Sequence, residues 1–497
     1  MIQSLKLFLV AELFLISSFL CAQEFRAVVL DSLNQTPVPF ASIYLKSGSG
    51  AIANEEGQFR LPYQVENIPN DTLFISCMGY KTLKYAVDEL QDSLFFLPPK
   101  VIALNSVILT NKQLSADQIL TAIQENIPDK YELGVTEKKL FLRETGNQEF
   151  KKLNIKIKKS SIAEFNQNFW DSILKKIPRK NTSFAEFAGR LYGDFNAQKQ
   201  KLQLFKALEL EDKKATALFE NTEALFDTIL KKNIKSTSYF KVRSGLIGGK
   251  LEGDAFQSEP RDTLTVKEKE QKRKAAFLKQ QKEQLTQFLK TLFKDEEFNL
   301  MVLTNSSKYI FKVVDLTYFG STPVYILTFE PKRNAVYAGR LFIDADRLAL
   351  LRLEYKNIKN IRDFSLLGVS FKQDIKEVIL QFKKMTNGKY SLEYFEYTTA
   401  FEGGFERPLV ITEKNKVVKG RNKQNELKMD LEISTRIFEK YQLVVFETTP
   451  ISETDFDAFV EKPNVLPENL PVYDPTFWDG YSIIEPNRAI KSFKIRE

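Results

Sequence analysis

The sequence contains no histidine among its 497 residues. Without an imidazole, the chain cannot build a Ser-His-Asp triad, a Cys-His pair, a histidine-ligated zinc site or an imidazole proton shuttle. Chemistry based on carboxylates, lysine or tyrosine remains open, but the commonest hydrolytic mechanisms are excluded. The sequence also shows no metal-ligand spacing and no nucleophile motif. We therefore expect a protein that is not an enzyme, with no catalytic residue, no metal and no cofactor.

Cysteine is nearly absent as well, because Cys21 and Cys77 are the only two. Cys21 lies in a predicted export signal, so the mature chain keeps one thiol and forms no intrachain disulfide. Cys77 stands at the end of an apolar run, a position typical of a buried and unreactive thiol rather than a nucleophile.

Residues 1–22 have the layout of a secretory signal peptide. Lys6 precedes an apolar stretch from Leu7 to Leu20, and the small residue Ala22 stands just before the predicted cleavage at Gln23. A retained membrane anchor is the alternative, although the stretch is short for a spanning helix. No later segment is apolar enough to span a bilayer. We expect an exported protein of the periplasm or one associated with the outer membrane.

The net charge is +8, and the basic residues are spread along the chain with one dense run at 267–274. A dispersed charge does not favour nucleic-acid binding. Peripheral association with an anionic membrane surface is at least as compatible with this charge as nucleic-acid binding is. We expect no nucleic-acid partner, and a lipid or another cell-envelope protein remains open as partner.

Residues 23–110 read as short strands separated by turn signals, a pattern typical of a small antiparallel β-sandwich. Within it, NEEG at 54–57 has either of two interpretations, a cation loop or a tight turn. Glu55 and Glu56 are adjacent and point apart, and no closing ligand follows at calcium-loop spacing. Gly57 suits the positive φ of a hairpin turn and Asn54 can cap it. We predict a turn that places Phe59 on the core side.

Two stretches of this region carry a family resemblance. VVLDSLNQTPVPFASIYLKSGSGAIANEEGQFRL at 28–61, followed by DTLFISCMGY at 71–80, resembles the carboxypeptidase-regulatory-like domain. The resemblance covers about residues 24–110 and implies a transthyretin-like β-sandwich without catalytic residues. Such domains commonly precede other domains in exported proteins of Bacteroidetes-type bacteria, including outer-membrane receptors. The residues that carry the motif, as structural positions, are Pro37, Pro39, Gly57, Phe59, Gly79 and Tyr80.

Residues 111–299 are predicted to form a helix-rich and mixed segment that is part of a second domain. Ser115 and Gln118 form a capping box in front of an amphipathic helix of about three turns. The periodicity predicts strands at 137–145 and 151–161, and a helix at 165–176 whose Trp170 is interpreted as a core anchor. Signals overlap over 180–260. A long helix begins near Lys267, and its charged first turns are either a solvated extension or a contact with anionic lipid.

Residues 300–497 are predicted to form an antiparallel β meander followed by an aromatic C-terminal extension. TFEPKRNAVYAGRLFIDADRLAL at 328–350 is similar to a hairpin of exported proteins with an open, lipoprotein-carrier-like barrel. That resemblance implies a half-barrel around a helix, which can hold an acyl chain. Asp344 and Asp346 are neighbours in one hairpin turn, so we interpret them as turn residues rather than a catalytic pair. The extension is expected to pack over the barrel through Tyr473, Phe477, Trp478 and Tyr481; a partner epitope or sugar contact is the alternative.

Together these patterns predict a mostly β protein with helices, of the α+β class. A transthyretin-like sandwich is followed by a larger antiparallel, open-barrel-like domain with packed helices. The function expected from them is that of a non-catalytic, exported cell-envelope protein with a binding or assembly role. A periplasmic lipid or lipoprotein carrier is the first alternative. A carboxylate-based glycosidase is the second, and it requires two carboxylates facing each other across a cleft.

Overall fold

In the computed structural model, 52% of the residues lie in strands and 19% in helices. The chain is therefore mostly β with helices, as predicted. The structure describes residues 25–47, 50–61, 71–90, 93–100, 114–196, 199–235, 237–245, 247–252, 265–415, 417–418 and 422–495. The export signal predicted at 1–22 lies outside these residues.

The N-terminal region forms two small sheets around one core. The strands are β1 (Phe25–Asp31), β2 (Ser42–Leu45), β3 (Gly50–Ile52), β4 (Gln58–Leu61), β5 (Thr72–Ser76), β6 (Leu83–Ala86) and β7 (Leu94–Leu97). The sheet orders are β4-β1-β7 and β3-β2-β5-β6. Val29, Ile43, Phe59 and Leu73 are fully buried between the sheets. The prediction of a wholly antiparallel arrangement is wrong for one pair, because β1 and β7 run parallel. A parallel pair needs a long connection, and β7 returns to β1 only after all the other strands have formed.

The NEEG segment is a turn, and its chemistry is local. Gly57 has φ +73°, and a Cβ added there would lie 2.4 Å from the Val29 carbonyl oxygen. Asn54 Oδ1 accepts hydrogen bonds from the backbone N–H groups of Glu56 (2.9 Å) and Gln58 (2.8 Å). The turn does not close a hairpin, however, because β3 and β4 belong to different sheets. It carries the chain from one sheet to the other, which the local sequence pattern could not distinguish from a hairpin.

The rest of the chain builds one large sheet of 14 strands. Its main order is β15-β16-β17-β18-β20-β21-β22-β8-β9-β10-β23. The strands are β8 (Thr136–Ser160), β9 (Lys180–Gly193), β10 (Gln200–Leu210), β11 (Tyr239–Ser244), β12 (Ile247–Glu252), β15 (Tyr309–Phe319), β16 (Thr322–Pro331), β17 (Tyr337–Asp344), β18 (Ala349–Asn357), β19 (Arg362–Leu366), β20 (Val369–Lys384), β21 (Tyr390–Lys414), β22 (Lys423–Pro450) and β23 (Glu468–Asn469). A separate two-stranded ribbon joins β13 (Phe293–Lys294) and β14 (Glu297–Phe298).

Three strands of this sheet are unusually long. β8, β21 and β22 contain 25, 25 and 28 residues. The two strands predicted at 137–145 and 151–161 are thus one continuous strand. The pairing of β22 with β8 joins the segments 111–299 and 300–497 into a single sheet.

The helices are α1 (Ala116–Gln124), α2 (Ile127–Lys130), α3 (Gln167–Leu174), α4 (Lys213–Asn233), α5 (Val266–Leu292), α6 (Met301–Thr304), α7 (Glu453–Ala458) and α8 (Arg488–Lys491). The predicted capping box of α1 is present, with Ser115 and Gln118 bonded reciprocally. Helix α5 buries one stripe of residues, Leu278, Leu285, Leu289 and Leu292, against the sheet. The space between α5 and the sheet is therefore filled with side chains. None of the helices within the described ranges combines the length and the apolar character needed to cross a bilayer.

The C-terminal segment 471–495 packs between the N-terminal sheets and the large sheet. Phe477, Trp478 and Ile484 belong to one buried cluster that also contains Phe141 of β8 and Phe40 of the N-terminal region. The expected ordered extension is therefore present, and it contacts both parts of the chain.

A buried polar cluster fixes this packing. The Glu186 carboxylate accepts hydrogen bonds from Arg143 Nε (2.5 Å) and from Trp478 Nε1 (2.6 Å). Arg143 also donates to the carbonyl oxygens of Ile484 (2.9 Å) and Glu485 (3.2 Å). All donors of the cluster that face the segment thus find acceptors, as burial of charge requires.

Candidate functional site: an apolar cavity at the ends of the long strands

The long strands β8, β21 and β22 continue past α5, and a cavity lies on their inner face. In β22, Leu427, Met429, Leu431 and Ile433 line it. Residues an even number apart share one face of a strand. Leu443, further along β22, packs in the core that contains α5. The cavity therefore occupies the same face of the sheet as α5, beyond the end of that helix.

Helices α3 and α4 cover this part of the sheet. Phe165, Trp170 and Phe226 form an aromatic cluster, with ring centroids 5.3 Å apart for Trp170 and Phe226 and 5.4 Å apart for Phe165 and Phe226. Leu230 of α4 and Phe240 of β11 complete the wall. The space within this wall measures about 330 Å³. This volume lies within the range of small-molecule sites in proteins, roughly 300–1,000 Å³.

Helix α3 is fixed to the sheet by two amide side chains. Asn166 caps the helix by accepting a hydrogen bond from the Phe169 N–H (3.0 Å). Gln167 bonds the edge of β8, donating to the Ile155 carbonyl (2.9 Å) and accepting from the Ile157 N–H (2.8 Å). The amide of Gln167 takes the place of a neighbouring strand, because β9 pairs with β8 only as far as Glu149. This contact holds Trp170 over the cavity.

One end of the cavity is closed by a buried polar group. Glu413 is 2% exposed, and its carboxylate accepts hydrogen bonds from Ser238 Oγ (2.5 Å) and Asn425 Nδ2 (2.7 Å). Asn415, which is fully buried, donates to Ser238 Oγ (3.2 Å). This carboxylate is committed to hydrogen bonds that join the loop after α4 to β21 and β22.

Glu426 is the second carboxylate at the cavity. Hydrogen bonds from Lys423 and Lys159 hold its pKa down at about 2, although partial burial opposes this. The lysine ammonium groups lie 2.5 Å and 3.0 Å from its carboxylate oxygens. Glu426 is therefore ionised and paired at neutral pH. Within the described part of the chain, no three His, Cys, Asp or Glu side chains are grouped to hold a metal ion.

Trp170 differs from its interpretation as a core anchor. It is only half-buried, and α3 has no fully buried residue. Its Nε1 is shielded from solvent and has no hydrogen-bond partner among the described residues. The residue lines a cavity rather than filling a core. The sequence signal is the clustering of Phe165, Phe169 and Trp170 at the start of a short amphipathic helix, but it does not distinguish a core from the wall of a cavity.

The two carboxylates considered in the sequence, Asp344 and Asp346, lie in the turn after β17. Asp344 is 1% exposed, and its Oδ1 accepts hydrogen bonds from the N–H groups of Asp346 (2.8 Å) and Arg347 (2.9 Å). Its Oδ2 accepts a hydrogen bond from the Tyr390 hydroxyl. Asp344 thus organises the turn and ties it to β21, and the two carboxylates do not face each other across a cleft.

The family-motif residues lie in the N-terminal region, and none of them lines the cavity. Phe59 is fully buried, and the Tyr80 hydroxyl donates to Asp31 Oδ2 (3.0 Å). Gly79 has φ +82°, and its N–H donates to the Tyr318 carbonyl of β15 (3.3 Å). Pro37 forms an isolated bridge with Leu30, and Pro39 is exposed. Cys77 is half-buried, and desolvation raises the pKa of its thiol to about 11, which keeps it protonated at neutral pH.

Comparison with known proteins identifies the class of the N-terminal region. Residues 26–109 match the family model of the CarboxypepD_reg-like domain. The chain therefore carries a carboxypeptidase-regulatory-like domain, and the resemblance at 24–110 is confirmed. No curated protein matches the chain. A solved structure, the complex of MucA and MucB from Pseudomonas aeruginosa, is 7% identical and covers 64% of this chain and 92% of that chain. Its TM-score of 0.15 is too low to carry an argument.

Proposed function

We propose that this protein is a non-catalytic, exported cell-envelope protein that binds an apolar ligand in the cavity beneath α3 and α4. The observation that carries the proposal is the cavity of about 330 Å³ with its wall of Leu, Ile, Met, Phe and Trp side chains. An apolar cavity of about 150 Å³ holds one benzene molecule, so this one has room for on the order of twelve carbon atoms. An acyl chain of that length fits the chemistry of the wall.

The N-terminal domain serves as a docking module in this proposal. Its two sheets are taken to form the transthyretin-like sandwich of the family, and the large sheet with α5 is taken as the open-barrel-like unit. The family domain supports a non-catalytic role. The apolar cavity also agrees with the alternative of a periplasmic lipid or lipoprotein carrier. The half-barrel of such a carrier would hold its ligand around the central helix, whereas this cavity lies beyond the end of α5.

The chemistry of the cavity supports binding rather than turnover. Both carboxylates at its wall, Glu413 and Glu426, are engaged by donors of the protein itself. A glycosidase would need one protonated and one ionised carboxyl group facing the substrate. The low pKa of Glu426 makes it unsuitable as a general acid.

Tryptophan fluorescence tests the proposal directly. The chain has two tryptophans, and Trp478 is 1% exposed in a different core. Titration of residues 23–497 with dodecanoate brominated on its chain is expected to quench Trp170 and to spare Trp478. The same titration of Trp170→Phe is expected to show no quenching.

A variant that fills the cavity separates binding from nonspecific adsorption. Leu230→Phe combined with Leu431→Phe reduces the space and is expected to weaken dodecanoate binding in calorimetry by about tenfold or more. Leu225→Phe is the matched control, because Leu225 lies on the same helix and is 47% exposed. Equal affinity of the filled variant and the wild type would refute the cavity as the site.

A further inference from the structure

Two short hairpins, β11–β12 and β19–β20, lie end to end along the same side of β21. β20 pairs with the N-terminal part of β21 and β11 with its C-terminal part. Between them, Arg407 Nη2 donates to the Ser244 carbonyl (2.7 Å), and the Glu406 N–H donates to the Gly368 carbonyl (2.6 Å). The turns of the two hairpins therefore meet at the middle of β21.

The outer strands of these hairpins form an exposed edge. β12 pairs only with β11, and β19 only with β20, within the part of the chain that the structure describes. We call residues 239–245, 247–252 and 358–372 the apolar edge. Its large exposed apolar side chains, with their exposed fractions, are Ile247 (63%), Leu251 (43%), Ile358 (59%), Phe364 (52%), Leu366 (68%) and Leu367 (67%).

The turn between β19 and β20 has an apolar residue, Leu367, in a strained backbone conformation. Leu367 has φ +50°, in the left-handed region that a bulky residue rarely adopts. Glycine or asparagine is the usual residue at such a turn position. The chain nevertheless places a leucine there with two-thirds of its surface in solvent. The side chain makes no core contact that would offset this strain, so an external apolar contact is the reason that fits.

The charge of the apolar edge is strongly positive. It contains six basic residues, Lys241, Arg243, Lys250, Lys359, Arg362 and Lys372, against two carboxylates, Glu252 and Asp363. Exposed aliphatic side chains framed by lysine and arginine are complementary to an anionic lipid surface, which offers acyl chains below a layer of phosphate groups.

We propose that the apolar edge docks on an anionic lipid bilayer, with the turns of the two hairpins inserted at the boundary of headgroups and acyl chains. The apolar side chains enter at the two turns, and the basic residues contact lipid phosphates. Phe240 of β11 lines the cavity and pairs with Leu251 of the outer strand β12, so the cavity wall and the apolar edge share a strand. Docking in this way brings the cavity next to the bilayer without depending on which ligand the cavity holds.

Vesicle flotation of residues 23–497 tests this proposal. We expect flotation with vesicles of phosphatidylcholine mixed with phosphatidylglycerol, and much weaker flotation with phosphatidylcholine alone. Leu366→Ser combined with Ile247→Ser is expected to lower the affinity at least about tenfold, because two inserted aliphatic side chains are lost. Lys241→Gln, Arg243→Gln and Lys250→Gln together are expected to lower it about tenfold on the anionic vesicles.

Leu367→Asn is the sharpest variant. Asparagine suits the left-handed turn position, so the variant is expected to keep or raise Tm while it weakens flotation severalfold. Loss of binding then cannot be ascribed to unfolding. Val314→Ser on the edge strand β15 is the matched control, because Val314 is 52% exposed and lies outside the apolar edge.

Three outcomes would overturn the proposal. The first is that the wild type does not float with anionic vesicles, and the second is that Leu366→Ser/Ile247→Ser floats as well as Val314→Ser. The third is that the wild type sediments as a dimer, and that Leu366→Ser/Ile247→Ser converts it to a monomer without changing flotation. The last result would assign the edge to a second copy of the chain. Quenching of Trp170 by brominated dodecanoate is expected to be unchanged in every edge variant, which separates this surface from the cavity.

Discussion

At the scale of single residues, the interior contains charged groups that pair with each other and one, Lys138, whose burial costs free energy. Arg143 and Glu186 are both buried and satisfy each other. Lys138 is 2% exposed, and desolvation lowers the pKa of its ammonium group to about 8. The nearest compensating charges, Glu132 and Asp194, only partly offset this effect. Lys138 is therefore a site where charge is retained against stability.

Lys138→Met is expected to stabilise the fold at pH 7, by about 2 kcal/mol. An ordinary lysine pKa near 10.5 in the unfolded chain and about 8 in the native state means that folding carries its full penalty below pH 8. Above pH 8 the native amine is neutral, and the penalty shrinks to zero as the pH rises to 10.5, because the unfolded chain then loses the same proton. Urea unfolding at pH 7 and pH 10 measures the difference in the free energy of unfolding between Lys138→Met and the wild type.

The advantage of Lys138→Met over the wild type is expected to shrink with rising pH. Lys139→Met, at a partly exposed position of the same strand, is the control, and a constant difference at both pH values would contradict the assignment.

Local residue chemistry was also the part of the molecule that the sequence predicted best. The Asn54–Gly57 turn, the Ser115 capping box and the Asp344 turn each depend on residues within a few positions of one another. The environment of Trp170 differs from the prediction because it is set by α4 and β22, which are distant in sequence. No local pattern indicates whether an aromatic residue fills a core or borders a cavity.

At the scale of elements, helix α5 shows how periodicity predicts packing. The sequence predicts one stripe on this helix. The four leucines of the stripe, Leu278, Leu285, Leu289 and Leu292, are buried, and its fifth residue, Phe288, is partly buried. The charged first turns are solvent-exposed. The long strands were harder to predict, because β8 has polar residues at Thr145–Gln148 that resemble a turn. Pairing with β9 and β22 on both sides carries the strand through this stretch.

Leu285→Ala is expected to lower the free energy of unfolding by about 3 kcal/mol, because Leu285 is fully buried between α5 and the sheet. Lys269→Ala in the exposed first turns is the matched control and is expected to change it by less than about 0.5 kcal/mol. Both values come from urea unfolding followed by circular dichroism. Similar effects for the two variants would mean that α5 does not hold the sheet.

At the scale of the whole molecule, the C-terminal segment 471–495 contacts both the N-terminal domain and the large sheet. Trp478 contacts Phe141 of β8, and its carbonyl oxygen lies 3.5 Å from Arg60 Nη2 of the N-terminal domain. Composition and motif predict a domain boundary near residue 110. The shared core could not be predicted, because it combines residues near 40, near 141 and near 478 that no local pattern relates.

Trp478→Ala is expected to destabilise this junction by about 3–5 kcal/mol, through a cavity and through loss of the hydrogen bond to Glu186. Scanning calorimetry of residues 23–497 is expected to resolve two transitions in place of one, since the N-terminal domain has its own core. Thr476→Ala, at an exposed position of the same segment, serves as control. A single, equally shifted transition for both variants would show that the segment does not couple the two units.

The position of Trp478 in this core has a consequence for biosynthesis. Phe40 and Ile52 leave the ribosome long before Phe477, Trp478 and Ile484, which belong to the same buried cluster. The N-terminal domain can form its own core early, but its oily outer patch stays uncovered while more than four hundred further residues are translated. Until then the nascent chain exposes an apolar surface that chaperones can bind. The native state is therefore completed only after the C-terminal segment has been translated.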